Sequence, residues 1–430
     1  MSVWLFCYRN LRYIRFCCKS VKIQAFLLVL SIEDHNKVLI DGDPIEVQRE
    51  ELVIGEPVPW RLFDREQRLL VREGTTITSE RQVDALMMRG AIRFEVVDRN
   101  RPRREMKKPV MEHSGPRIAD TFRDYHRLAE ELMSLFYRYE DDPDSLAELI
   151  EPLQHLAAQC RGLVLQDPDK ALVALQLMHE YPYIVIHPIH VAIIVMIMEM
   201  HFRSSEAHQL SVVCAALTQN LSMNNLQEEL FTQLFPLDQE QRAQLERHPL
   251  ETVEQLMQAG VNDALWLDII RQHHEKPDGT GYPRGLREEE ILTESTVICL
   301  ADRYSAMLFD RPFRETREPR NILKGYLDES KKYNSNLPLI FIKQMGVYPP
   351  GLFVRLNSGE TAMVVKRTGP NEKPMVVSYI NPRGVSYDPP VLRDTGVGRH
   401  HGIKAVCKVD PEFFDLDKVW AVVTSLQAPI

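Results

Sequence analysis

Five side chains of this chain could bind a metal ion together: His187, His248, the adjacent pair His273 and His274, and Asp302. Neutral imidazole suits transition metals and a carboxylate suits hard divalent ions, so four histidines and one aspartate would hold iron, manganese or zinc. A histidine alone on an apolar helix is more often a hydrogen-bonded core residue, and His190, His201 and His208 are read in that way. The adjacent pair is different, because it opens the stretch HHEKPDGTGYPRGL, residues 273–286. There Asp278-Gly279 and Gly281 allow positive φ angles, and Pro283 fixes its own φ. Tyr282 is thereby presented, with the hydroxyl at its tip, on a stiff lip beside the two histidines. The residues alone leave ligation and a packing role equally open for the pair.

Those five residues fall in four separate segments, so only a folded bundle brings them together. From Ile118 to about Met345, apolar residues recur at spacings of three and four in FRDYHRLAEELMSLFYRY, LAELIEPLQHLAAQC and DKALVALQLMHEY, which predicts an all-α domain. The run YIVIHPIHVAIIVMIMEM is apolar enough for a membrane span, but Pro188, Glu199 and two histidines interrupt it. It is predicted to be the central buried helix of the bundle instead. Ahead of the bundle, KVLIDGD and AIRFEVVD predict short strands, and TSERQVDALMMRG predicts a helix capped by Thr78 or Ser79 and ended by Gly90. These form a small α/β module, followed by the basic, solvated linker DRNRPRREMKKPV. After Tyr348, GLFVRLNSGETAMVVKRT, KPMVVSYINPRG and IKAVCKVD predict a β-rich appendix broken by Gly, Pro and Asn turns. The expected division is a tail at 1–34, the α/β module and linker at 35–112, the helical domain at 113–345 and the appendix at 346–430.

Composition narrows the function classes. A chain of 430 residues with 44% apolar and 26% charged residues is expected to be a soluble multidomain protein with at least one large core. The net charge of −9 argues against binding a nucleic-acid polymer, which requires clustered Lys and Arg. The seven cysteines, at 7, 17, 18, 160, 214, 299 and 407, are odd in number and lack Cys-x-x-Cys spacing. They predict neither a disulfide framework nor a zinc ribbon, and fit a reducing cytoplasm. The first thirty-odd residues mix basic, aromatic and cysteine residues around the short apolar run IQAFLLVLSI. They are read as a frayed or artefactual tail, with a membrane-surface helix as the alternative.

The stretch HHEKPDGTGYPRGL followed by ESTVICLADRYSAMLFDRPFR resembles the HD-GYP domain, the bacterial family of metal-dependent cyclic di-GMP phosphodiesterases. The resemblance runs from about Tyr183 to Gly359 and includes GVYPPGLFVRLNSGE. It implies a multidomain chain built around an all-α HD-GYP helical bundle. The family's His-Asp-x-Gly-Lys dyad segment matches CAALTQNLSMNNL here, so Gln219 and Asn220 stand in the dyad positions, Ser222 replaces the glycine and Met223 the lysine. The remaining metal positions of the family fall on His187, His248, His273, His274 and Asp302. A glutamate that some members supply one turn before the first histidine falls on Tyr183, which argues against a third metal.

By the resemblance, the chemistry is attack on phosphorus by a hydroxide held between metals, with the dyad aspartate bridging them. Asparagine at 220 is neutral and offers one good oxygen where a carboxylate offers two, so it is no equivalent bridge. The family's arrangement leaves His187 and Asp302 for the first site and His248, His273 and His274 for the second. The expectation is one divalent ion (iron, manganese or zinc) or none, and little or no cyclic di-GMP hydrolysis. Arg311 and Arg314 match family residues that meet the nucleotide, with surface ion pairs to Glu315 or Glu318 as the alternative. Tyr282 and Pro283 lie in the loop that resembles the family's docking surface for diguanylate cyclases. Two readings follow: a nucleotide sensor or protein-interaction scaffold, or a metal-dependent phosphodiesterase working with a reduced site.

Overall fold

The computed structural model describes residues 44–63, 69–71, 74–77, 80–88, 90–94, 120–233, 237–309, 318–333, 335–367, 373–407, 409 and 414–425. The tail at 1–34, the segment KVLIDGD, the cap residues Thr78 and Ser79, the basic linker, and both Arg311 and Arg314 lie outside them.

The described residues are mostly helical, with two small antiparallel sheets, one before and one after the helices of the bundle. The first sheet joins β1 (Pro44–Glu46), β2 (Leu62–Phe63), β3 (Leu69–Val71) and β4 (Ile92–Phe94) in the order β1-β4-β2-β3, and α1 (Glu80–Met88) belongs to the same unit. Leu62, Val71, Ile77, Val83, Leu86 and Ala91 make its own small core. β4 begins inside the predicted AIRFEVVD run, and Gly90 ends α1 at φ +62°. The other three strands hold only two or three residues each, too few to show a period of two in the sequence.

The bundle runs through α2 (Arg123–Asp141), α3 (Leu146–Gln166), α4 (Pro168–Leu177), α5 (Tyr183–Phe202), α6 (Glu206–Thr218), α7 (Asn224–Thr232), α8 (Gln239–Gln258), α9 (Ala264–Gln272), α10 (Thr293–Leu308), α11 (Pro319–Glu329) and α12 (Leu337–Met345). Every residue of α5 from Tyr183 to Glu199 is buried, and α3, α6 and α10 pack around it. A helix apolar on all faces must be enclosed on all faces. Among the described residues α5 is the one helix long and apolar enough to cross a membrane, and 94% of that stretch is buried inside the protein.

The second sheet is antiparallel in the order β8-β7-β6-β5-β9: β5 (Phe353–Leu356), β6 (Thr361–Lys366), β7 (Met375–Ile380), β8 (Ser386–Asp394) and β9 (Ile403–Val406). Alternation in β6 sorts its two faces. Met363 and Val365 enter the bundle core with Val377 and Tyr379, while Ala362 and Val364 form a second cluster with Val354, Leu356 and Val376. α13 (Leu416–Ser425) packs on β7 and β8. Arg367, at the end of β6, pairs with Asp169 of α4 and donates to the Gln344 carbonyl, joining sheet to bundle.

Candidate metal centre

Two prolines sit directly after candidate ligands, at His187-Pro188 in α5 and His248-Pro249 in α8. A proline inside a helix has no N–H for the carbonyl four residues back. In α8 that carbonyl is Leu245's, and His248 Nδ1 takes it at 2.6 Å. His273 follows the last residue of α9, where helix-end carbonyls lack intrahelical partners, and its Nδ1 reaches the Ile270 carbonyl at 2.7 Å. A carbonyl only accepts, so both Nδ1 atoms carry the proton and both Nε2 atoms are bare.

These two Nε2 atoms face each other at 3.3 Å. Two lone pairs at that distance repel unless something positive lies between them. Ligands at about 2.0–2.1 Å from a tetrahedral zinc stand about 3.3 Å apart, so the spacing is that of a metal site. His274 completes the set, with ligand atoms of all three residues within 4.8 Å of one another. Burial pushes His248 down to about 3, with His273 adding to it, and burial lowers His273 and His274 as well. All three therefore stay neutral, the form that binds metals.

His187 and Asp302 are arranged differently. His187 Nε2 lies 2.9 Å from Asp302 Oδ1, and its Nδ1 lies 3.0 Å from Ser305 Oγ. The carboxylate requires the proton on Nε2, so His187 offers Asp302 an N–H and no lone pair. Gln219 Nε2 approaches the same Oδ1 at 3.4 Å. Burial acts to raise the Asp302 carboxyl, but the His187 hydrogen bond and charge outweigh it and hold the group below the usual carboxylate range. Gln219 and Asn220 are 1% and 7% exposed, and among the described residues Gln219 Oε1 and Asn220 Oδ1 are buried without a hydrogen-bond partner. Tyr183, at the position matching the glutamate of some HD-GYP members, stacks its ring on His187 at 4.8 Å and on Phe231 at 4.5 Å. Met223 is buried at 5% exposure.

The lip beside the centre is wound around Glu275. This carboxylate is 2% exposed and accepts from the backbone N–H groups of Arg284 at 2.7 Å and Leu286 at 2.9 Å. Tyr282 donates its N–H to the His274 carbonyl at 3.2 Å, and the two rings lie 4.7 Å apart. Gly279 has φ +76°, as its place in the turn requires. Gly281 does not: its φ is not positive, and glycine is needed because a Cβ would lie 2.4 Å from Lys276 N and 2.5 Å from Glu275 Cα. Neither Glu275 nor Ser305 stands out in the sequence as a site residue. The signals for them are a glutamate inside a glycine-rich turn, and a hydroxyl three residues after Asp302 on the same helical face. Ser222 also has a role, since its hydroxyl donates to the His248 carbonyl at 3.0 Å and lies 2.8 Å from Thr252 Oγ1.

Of the three histidines read as hydrogen-bonded core residues, only His190 is buried, its ring stacked on Phe309 at 5.3 Å and neither ring nitrogen hydrogen-bonded among the described residues. His201 is exposed near Gln344, and His208 lies half-exposed between Glu199 and Glu294. Both sit near helix ends, where the apolar run no longer encloses them.

The helical bundle and its histidine cluster are those of an HD-domain protein, and the HD domain family model matches residues 191–337. The cyclic di-GMP phosphodiesterase PA4108 of Pseudomonas aeruginosa is 24% identical over 272 residues, which are 62% of this chain and 65% of that protein. The cyclic di-GMP phosphodiesterase PdeB of Borreliella burgdorferi is 23% identical over 207 residues, 48% of this chain and 54% of that protein. The solved structure of Bd1817, a HDG"Y"P protein from Bdellovibrio bacteriovorus, aligns with a TM-score of 0.44 and 14% identity, covering 70% of this chain and 98% of that one. Residues 191–337 thus carry an HD domain, and the chain is similar in sequence to cyclic di-GMP phosphodiesterases. The matches span less than two thirds of the length of either curated relative.

Proposed function

We propose that this chain is a catalytically impaired HD-GYP protein that acts in bacterial cyclic di-GMP signalling by binding, as a nucleotide sensor or as a scaffold for signalling proteins. One observation carries the reading: Asp302 Oδ1 is taken up by His187 and Gln219, while an amide stands at 220. A dinuclear centre needs anionic oxygen to hold two cations together, and this donor set does not fit a second ion. It fits one. His248, His273 and His274 would hold it, with zinc or iron matching imidazole donors, and a bound ion supplies Lewis acidity toward a phosphoryl oxygen.

Cyclic di-GMP enters as ligand because both relatives are cyclic di-GMP phosphodiesterases. Tyr282 and Pro283 on the lip, with Arg311 and Arg314, are the residues proposed to meet the nucleotide. The same lip is the proposed contact for a diguanylate cyclase. Losing a bridging ligand and its partner costs several powers of ten in rate, at about 1.4 kcal/mol per decade.

A second reading has its own support in the facing Nε2 atoms of His248 and His273, which favour an ion. In that reading His248, His273 and His274 would hold a single ion whose Lewis acidity would support slow hydrolysis of cyclic di-GMP or another phosphorylated compound. Metal analysis and a hydrolysis assay on one purified preparation separate the two. The expected result is at most one ion per chain, cyclic di-GMP binding by calorimetry, and no turnover beside an intact relative. Turnover at the relative's rate overturns the impaired reading.

A further inference from the structure

The proposed ion site is built partly from the loop it adjoins. His248 comes from α8, His273 directly follows α9, and His274 begins the run into the loop. One ion on these three side chains would tie two helices and the loop together. The loop, in turn, is closed upon residues 274 and 275. Tyr282 hangs from the His274 carbonyl, Arg284 and Leu286 hang from the Glu275 carboxylate, and Gly281 rests on the Glu275 backbone. His274 therefore cannot shift without shifting the anchors of Tyr282 and of residues 284–286.

We infer that ion binding at His248, His273 and His274 fastens the loop 276–286 to α8. Glu275 is the positioning residue that carries the constraint from His274 to the far end of the loop. Presentation of Tyr282 to a partner thus depends on a divalent cation. The inference rests on the one-ion part of the proposed function and gives that ion a structural role. Without an ion the bare Nε2 atoms of His248 and His273 oppose each other at 3.3 Å, an unfavourable contact that drives the histidines apart. With an ion the same spacing becomes favourable, and binding free energy becomes local folding free energy.

Hydrogen–deuterium exchange of the full chain, stripped with EDTA and titrated with zinc chloride alone, reads the loop directly. If opening requires release of the ion, exchange at Arg284 and Leu286 slows about 100-fold when zinc stands at a hundred times its Kd. His248→Ala leaves every loop residue in place and is expected to abolish that slowing. Glu275→Gln keeps all three imidazoles and is expected to retain zinc binding while losing the protection of Arg284 and Leu286. Circular dichroism confirms that each variant is folded; should Glu275→Gln fail to fold, the His248→Ala comparison decides. Stoichiometric zinc with unchanged exchange over 276–286 overturns the inference and leaves the proposed signalling role standing. Absence of zinc binding overturns the inference with its one-ion premise, and calorimetry with cyclic di-GMP on the same samples then reports separately on the nucleotide.

Discussion

His248 binds the carbonyl of Leu245, the one that Pro249 cannot serve, at 2.6 Å. The proline thus fixes the tautomer of the neighbouring histidine and turns its bare Nε2 toward His273. Groups that orient a ligand in this way commonly contribute about 10- to 100-fold in metal affinity. Pro249→Ala restores an N–H that competes for the Leu245 carbonyl. The expected result is a drop of at least about tenfold in zinc affinity by competition titration, with helix stability unchanged or higher because a helix-interior proline is removed. Equal zinc affinity in the two proteins would show that the proline does not orient the ligand.

Burial of the histidines makes the metal-free protein sensitive to acid. An unfolded histidine titrates near 6.5, whereas His248 is pushed down to about 3 in the fold. Above pH 6.5 neither state is protonated and stability has its full value. As pH falls below 6.5 the unfolded chain takes up the proton first, so stability declines by up to about 1.4 kcal/mol per pH unit for this one group. His273 and His274 are shifted in the same direction and steepen the slope. The depressed Asp302 carboxyl adds a further loss only below its unfolded value of about 3.9. Urea titrations of EDTA-treated protein from pH 7.5 to 4.5 should therefore show falling stability, and His248→Gln should flatten the curve. A midpoint independent of pH in that interval contradicts the assignment.

The two loop glycines should fail for different reasons. At Gly279 an added Cβ meets nothing nearer than 3.6 Å, and the cost of Gly279→Ala is that of holding φ at +76°, about 1–2 kcal/mol. At Gly281 the Cβ collides with backbone at 2.4–2.6 Å, so the strand of loop must move off Glu275, at about 1–3 kcal/mol by analogy with overpacking. Gly279→Asn should recover part of the loss, since asparagine tolerates the left-handed region, and Gly281→Asn should not. Chemical denaturation of the four variants distinguishes conformational from steric need.

What could be read in the sequence divides along physical lines. The helices of the bundle are visible because Leu128, Leu132 and Phe136, or Leu149, Leu153 and Leu156, recur at helical spacing, and α5 because it is apolar on every side. The association of the second sheet with the bundle was hidden in TAMVVK, a run apolar on both faces, which marks a strand covered on both sides. His248, His273 and His274 could be picked out as residues, but not which nitrogen of each faces inward, because that depends on the Leu245 and Ile270 carbonyls. The need for glycine at 281 is legible in the sequence but its cause is not, since close approach and positive φ leave the same letter.

The triple substitution Gln219→His, Asn220→Asp, Met223→Lys tests the proposed impairment. It removes the Gln219 amide from Asp302 and supplies an anion where a bridge is needed, so a second ion should bind and turnover of cyclic di-GMP should appear. Two features work against this. Met223 is buried, and a lysine there must find an anionic partner or substrate phosphate to offset its desolvation. His187 must also release its proton contact with Asp302, which Ser305 supports from the other side by fixing Nδ1. Metal analysis of the triple variant with and without Ser305→Ala separates these obstacles. Two ions with turnover in the triple variant, against one ion without turnover in the parent, mean that these three positions account for the difference. Two ions only after Ser305→Ala mean that the Ser305–His187–Asp302 chain has taken the place of the first cation. One ion in both means that the first half of the centre is closed by more than these contacts.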